Sequence, residues 1–143
     1  MENLQLRSLN SVASKTVLKI LSLLPDEGIF EIEGKDFNSH TLTVERLGEI
    51  NTPVGQASVF SFAFYFKKGK DLFREPEIIL WIIGDSIYPV SYQDDSFGVL
   101  YEAIERVDDA LKIDKALLSH LTVVSQMVFR FIRDNYCLTL QEN

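Results

Sequence analysis

One cysteine, two histidines and one tryptophan occur in 143 residues, and each scarcity removes a class of chemistry. A lone Cys137 excludes an internal disulfide and any cysteine metal cluster, and such usage is compatible with a reducing cytoplasm. His40 and His120 form no His-x-x-x-His pair, and neither a Cys–His spacing nor a Gly-x-Ser-x-Gly nucleophile elbow occurs. The seven glycines are scattered singly near expected turns, so no phosphate-cradling loop is formed. Zinc chemistry and serine or cysteine hydrolysis are unsupported, and no cofactor is expected.

Positive charge is also short. Fourteen Lys and Arg against 21 Asp and Glu leave a net charge of −7, which argues against direct nucleic-acid binding, since phosphate contact needs clustered cations. The one basic cluster, Lys67, Lys68, Lys70 and Arg74, sits among acids and reads as a solvated turn. The longest apolar run, Ile78 to Ile83, falls far below the roughly 18–20 residues of a membrane span. Lys15 and Lys19 interrupt the run around Val17 to Leu24, so no signal peptide and no membrane contact are expected. A soluble, cytoplasmic chain forming a single domain over 1–143 is the expectation. Its hydrophobic fraction of 46% and charged fraction of 24% suit a folded core.

What is present is pattern. Apolar residues from Leu9 to Leu24 recur at three and four, which predicts an amphipathic helix with Ser8 or Asn10 as its cap. Pro25-Asp26-Glu27-Gly28 ends it. Ile29–Glu33 and His40–Leu47 alternate as strands, joined by a hairpin connection over Gly34–Ser39. Gly48–Gln56, with Asn51, Pro53 and Gly55, reads as a loop. Ala57–Phe66 then places Phe60, Phe62, Phe64 and Phe66 on one face, which must be buried because four exposed rings would invite aggregation. The small residues opposite suggest a second covered face.

After a charged turn and Glu75-Pro76-Glu77, the run Ile78–Ile83 suits a strand buried on both sides. Gly84-Asp85 is a hairpin turn, and Ile87–Tyr92 returns with Pro89 marking an edge or a bulge. Asp94–Gly98 turns the chain, Val99–Arg106 is read as a short helix, and Asp108-Asp109 as a polar break. Lys112–Tyr136 carries a wide apolar stripe that includes Leu117, Leu121, Val124, Val128 and Phe131, with Val123 and Met127 widening it. The tail after Leu138 is expected to fray. The fold class is α+β: an antiparallel meander of about five strands, with an N-terminal helix and a long C-terminal helix packed on one face.

The carboxylates are the remaining chemical candidates. Glu75 and Glu77 begin one strand while Asp94 and Asp95 follow its hairpin partner, so antiparallel pairing brings all four to one end of the sheet. Oxygen ligands for Mg²⁺ or Ca²⁺ converge in such places, although any soluble sheet also exposes acids there. The nuclease pattern of an acid followed by Glu-x-Lys fails, because Ile78 and Ile79 follow Glu77.

Asp71-Leu72-Phe73-Arg74-Glu75-Pro76-Glu77, then Pro89-x-x-Tyr92-x-x-Asp95-x-x-Gly98 and Glu102, resembles a family of small bacterial proteins of unknown function. These are often carried on plasmids and other mobile elements. The family pattern is Gly-Asp-Leu-x-x-Asp-Pro-Glu followed by Pro-x-x-Tyr-x-x-Asp-x-x-Gly and a Glu four residues on; this chain departs from it at Lys70 and Glu75. The resemblance covers the middle of the chain and implies a bacterial, mobile-element origin without an activity. A structural account gives Asp71 and Glu75 turn amides to accept, Pro76 a strand start and Gly98 a left-handed conformation.

Three functional readings follow. The first is a non-enzymatic interaction module whose protein partner contacts Tyr88, Tyr92, Asp94, Asp95 and Phe97, aromatic anchors ringed by acids. Its sharper form is an acidic inhibitor filling the nucleic-acid groove of a host defence enzyme. Asp26–Glu49 and Asp94–Asp114 would supply the charge, each with seven acids against two bases. The second is a divalent-metal enzyme using Glu75, Glu77, Asp94 and Asp95. The third is a homodimer formed through the long helix or the sheet edge.

Overall fold

A computed structural model of the chain describes residues 8–25, 28–36 and 40–138. Helix α1, Ser11–Ser22, is capped by Asn10, whose side chain accepts from the Ala13 amide at 2.9 Å. Ser8, the other cap candidate, accepts instead from the Ile87 amide at 2.9 Å. The strands are β1 Ile29–Ile32, β2 Leu42–Thr52, β3 Gly55–Lys68, β4 Asp71–Ile83, β5 Ser86–Asp94 and β6 Val99–Glu102. They form one antiparallel sheet in chain order, β1 to β6, larger than the five strands expected. A separate ribbon pairs β7, Ile104–Val107, with β8, Ala110–Ile113. Helix α2, Lys115–Asn135, starts on Asp114, which accepts from the Leu117 amide at 3.0 Å.

Several boundaries differ from expectation for physical reasons. The segment from Gly48 to Gln56 is not a loop but the facing ends of β2 and β3, reversed by Pro53-Val54. Gly48 follows a bulge that leaves Leu47 unpaired, and Gly55, at φ 136, opens the return strand. The presumed helix at Val99–Arg106 is two strands. Gly98, at φ 64, turns the chain so that Val99 pairs with Asp94. Asp108, at φ 56, then makes a two-residue reversal into β8, which delays α2 to Lys115. Pro76 lies inside β4 rather than before it. There Phe64 faces both Glu75 and Pro76 across a bulge, a place where proline removes no ladder bond. Pro89 adjoins another bulge, as its type predicts, with Val90 unpaired. The expected turn at Asp26-Glu27, much of the Gly34–Ser39 connection and the tail beyond Leu138 lie outside the described residues.

The ring face is covered as the alternation requires. Phe60, Phe62 and Phe64 are buried in one cluster with Ala13, Val17 and Ile20 of α1 and Phe129 and Ile132 of α2. Phe62 meets Phe129 edge-on at 5.1 Å. Phe66 departs from the expectation: it is half-buried and stacks on Phe73 at 5.3 Å. Residues of the opposite parity, Ala57, Val59 and Trp81, pack in a second cluster with Ala103, Ile104, Leu118 and Leu121. The ribbon and the first turns of α2 therefore contribute to that cover.

Phe62→Ala is expected to destabilise the fold by about 3–5 kcal/mol, read as a lowered urea midpoint with an unchanged slope. Phe66→Ala should cost clearly less. Equal losses would show that burial does not decline along the row of rings.

Candidate functional site

The acids predicted to converge are held by a cation on their own sheet. Arg74, on β4, donates from its backbone amide and its Nε to one oxygen of Asp95, at 2.9 and 3.2 Å. The Asp95 amide returns a bond to the Arg74 carbonyl at 2.8 Å, and Gln93 donates to the other carboxylate oxygen at 3.1 Å. Arg74 Nη1 also reaches Glu77 at 3.4 Å, and the Ser61 hydroxyl donates to the second Glu77 oxygen at 2.7 Å. Asp95, Arg74, Glu77 and Ser61 thus form a chain of polar contacts from the β5–β6 turn to β3. It joins the stretches 71–77 and 89–102.

Asp94 plays a different part. It is 5% exposed and accepts from the Ser96 amide at 3.0 Å, tightening the turn. Among the described residues, the main-chain amides of this region are accepted by Asp94 and Asp95, and none by Asp71 or Glu75. Glu75 looks away from this chain into a groove of about 360 Å³ between the sheet and α2, bordered by His40, Phe64, Pro76, Met127 and Phe131. The four predicted metal ligands are thus divided among an Arg74 clasp, a turn and a groove. Among the described residues, no three His, Cys, Asp or Glu side chains could together hold a metal ion.

The predicted partner residues are also spread out. Tyr88 pairs with Trp81 across β4 and β5, and Tyr92 stacks on Tyr101 at 6.5 Å between centroids. Phe97 alone stands clear, 78% exposed at the β5–β6 turn. His120 is exposed and edge-on to Tyr101 at 6.5 Å, while His40 lies 5.8 Å from Phe66.

Protonation follows these contacts. The Arg74 amide, aided by its guanidinium and by Gln93, holds the Asp95 carboxyl below its ordinary value. Burial, then the charge of Glu77, raises the Tyr65 phenol. Burial and Asp94 raise that of Tyr92.

One surface was missed. Val123, Met127 and Phe131, four residues apart on α2, are 56%, 67% and 52% exposed. Their inclusion in the buried stripe is corrected: the buried seam is Leu118, Leu121, Thr122, Ser125, Phe129 and Ile132. Thr122 and Ser125 disguised it, because small hydroxyl residues do not register as apolar. Thr122 donates to the Leu118 carbonyl at 2.7 Å and so lies buried without loss.

An antiparallel α+β sheet domain with its conspicuous acids clasped and an apolar helix face uncovered is the class that fold and site define. A family model, Domain of unknown function (DUF6908), matches residues 14–135, and the chain belongs to that family. Comparisons with curated proteins and with solved structures found no match. Among the described residues, no helix is long and apolar enough to cross a membrane.

Because the Asp95 carboxyl is depressed in the fold, the stability it adds is fully present above its unfolded value of about 3.9. That stability is lost as pH falls through the lower folded value. Asp95→Asn should therefore unfold more easily than wild type near neutrality, with the gap in urea midpoint closing below pH ~4. A gap that persists unchanged in acid would deny Asp95 this role.

Proposed function

We propose that the domain is a non-enzymatic module that binds a protein partner through the outward face of α2. The observation carrying this is the exposed row Val123, Met127 and Phe131, which adjoins the groove beside Pro76. Large apolar side chains at i, i+4 and i+8 form the ridge that helices use to pack. A methionine in such a row adapts to the surface it meets. The engagement of Glu77 and Asp95 by Arg74 favours this reading over metal-dependent catalysis. A cytoplasmic location belongs to the same proposal.

The narrower reading, a mobile-element inhibitor that imitates nucleic acid, draws on the family-like pattern and the net charge of −7. Its two acidic stretches run through β1–β2, at one edge of the sheet, and through β6 at the other edge and the separate β7–β8 ribbon. Five strand spacings, about 24 Å, separate those edges, so the charge is divided between two surfaces. The apolar face is the better-supported contact.

Binding of a partner captured from the native host and then purified separates these readings. Met127→Glu/Phe131→Glu is expected to weaken it at least tenfold, as loss of central anchors does. Phe97→Ser should leave it intact, and raising salt to ~0.5 M should change it little. Loss on Phe97→Ser would move the contact to the β5–β6 turn, and steep weakening by salt would favour the acidic inhibitor. If sedimentation shows a concentration-dependent dimer broken by the helix variant, the partner is a second copy of this chain.

A further inference from the structure

A second groove, of about 560 Å³, opens between α1 and the C-terminal end of α2. Its rim carries Lys15, Lys19, Lys35 and Arg133, and among the described residues no acid lines it. That is four of the fourteen cations of a chain whose net charge is −7. Two of the four already have work: Lys35 Nζ donates to the Asp134 carbonyl at 3.3 Å, and Arg133 Nε to the Asp134 carboxylate at 3.0 Å. These contacts place positive charge at the negative end of the α2 dipole. Lys15 and Lys19, one turn apart on the exposed side of α1, pair with no carboxylate among the described residues.

The floor differs from the rim. Val12, Leu138 and the Tyr136 ring are apolar. Its polar hydrogens are committed within the fold, since the Thr16 hydroxyl donates to the Val12 carbonyl at 2.9 Å and the Tyr136 hydroxyl to that of His40. A sugar or a base would leave acceptors unmet there, at a cost in desolvation. A hydrocarbon body would not. An anionic membrane surface is opposed by the overall negative charge. The volume lies within the roughly 300–1,000 Å³ of small-molecule sites.

We propose that this groove binds a free amphipathic anion, a single-chain fatty carboxylate or its phosphate counterpart. The tail lies on Val12, Tyr136 and Leu138, and the head takes charge-assisted hydrogen bonds from Lys15 and Lys19. The site does not depend on the partner contact at Met127 and Phe131, and either can fail alone.

Dodecanoate, titrated calorimetrically below its micelle-forming concentration, is expected to bind at one site per chain and to slow alkylation of the exposed Cys137 by iodoacetamide. Dodecyl phosphate should bind likewise, and dodecylamine, with the same tail and the opposite charge, should not. Lys15→Gln/Lys19→Gln, which keeps good helix formers at both positions, should weaken binding at least tenfold with an unchanged circular dichroism spectrum. Lys112→Gln, beyond the other end of α2 and about 30 Å away, should leave it unaltered. Absence of heat and of Cys137 protection in the wild type, or undiminished affinity in the double variant, overturns the proposal. So does binding to anionic phospholipid vesicles without binding of monomeric dodecanoate, which would assign the groove to a membrane surface.

Discussion

The perpendicular contact of Phe129 on α2 with Phe62 on β3 is the one on which the rest of the molecule depends. It sets α2 over the middle of the sheet, and α1 follows, because Ala13, Val17 and Ile20 fill the same cluster. The Asn10 amide completes the arrangement by donating to the Gln126 side chain at 2.9 Å, tying the start of α1 to α2. Both grooves are by-products of that placement. One lies where α2 passes the bulge at Pro76, the other where its last turns part from α1.

The acids show how pattern and role diverge. Read along the chain, Glu75, Glu77, Asp94 and Asp95 form a ligand set. In space, Arg74 occupies the position a metal would have needed between Glu77 and Asp95. An ion pair of this kind, partly exposed on both sides, contributes little stability by itself. Its reciprocal backbone bonds to Asp95 fix the β5–β6 turn to β4, and that fixes where Phe97 projects. The cluster is a joint between the β5–β6 turn and β4.

Much of this architecture could be read beforehand, and the failures have a common cause. The alternating phenylalanines, the all-apolar run at Ile78–Ile83 and the Gly84-Asp85 reversal each satisfy a local rule that packing then obeys. Where the reading slipped, a single residue altered the geometry. Leu47 sits in a bulge that shifts register without the proline that marked the one at Val90. Asp108 takes a left-handed turn that glycine or asparagine would have advertised. Thr122 and Ser125 build the tight seam of α2 from residues that hydropathy counts as polar, which rotated the expected buried face onto Val123, Met127 and Phe131. The site was less legible than the fold for the same reason: an arginine inside the motif decides what its acids do, and spacing alone does not reveal its reach.

A sheet whose strands neighbour one another in the order they are made closes nearly all its ladders over short loops, where the entropic toll is small. The ties between the two ends of the chain are different in kind. Lys35 and Asp134, 99 residues apart in sequence, meet where β1 reaches the end of α2, and the backbones of Gly34 and Tyr136 bridge beside them. The meander can assemble by successive zipping while this clasp waits for both extremities of the chain. The cationic groove therefore lies among elements brought together from the two ends of the chain, outside the ladders of the six-stranded sheet.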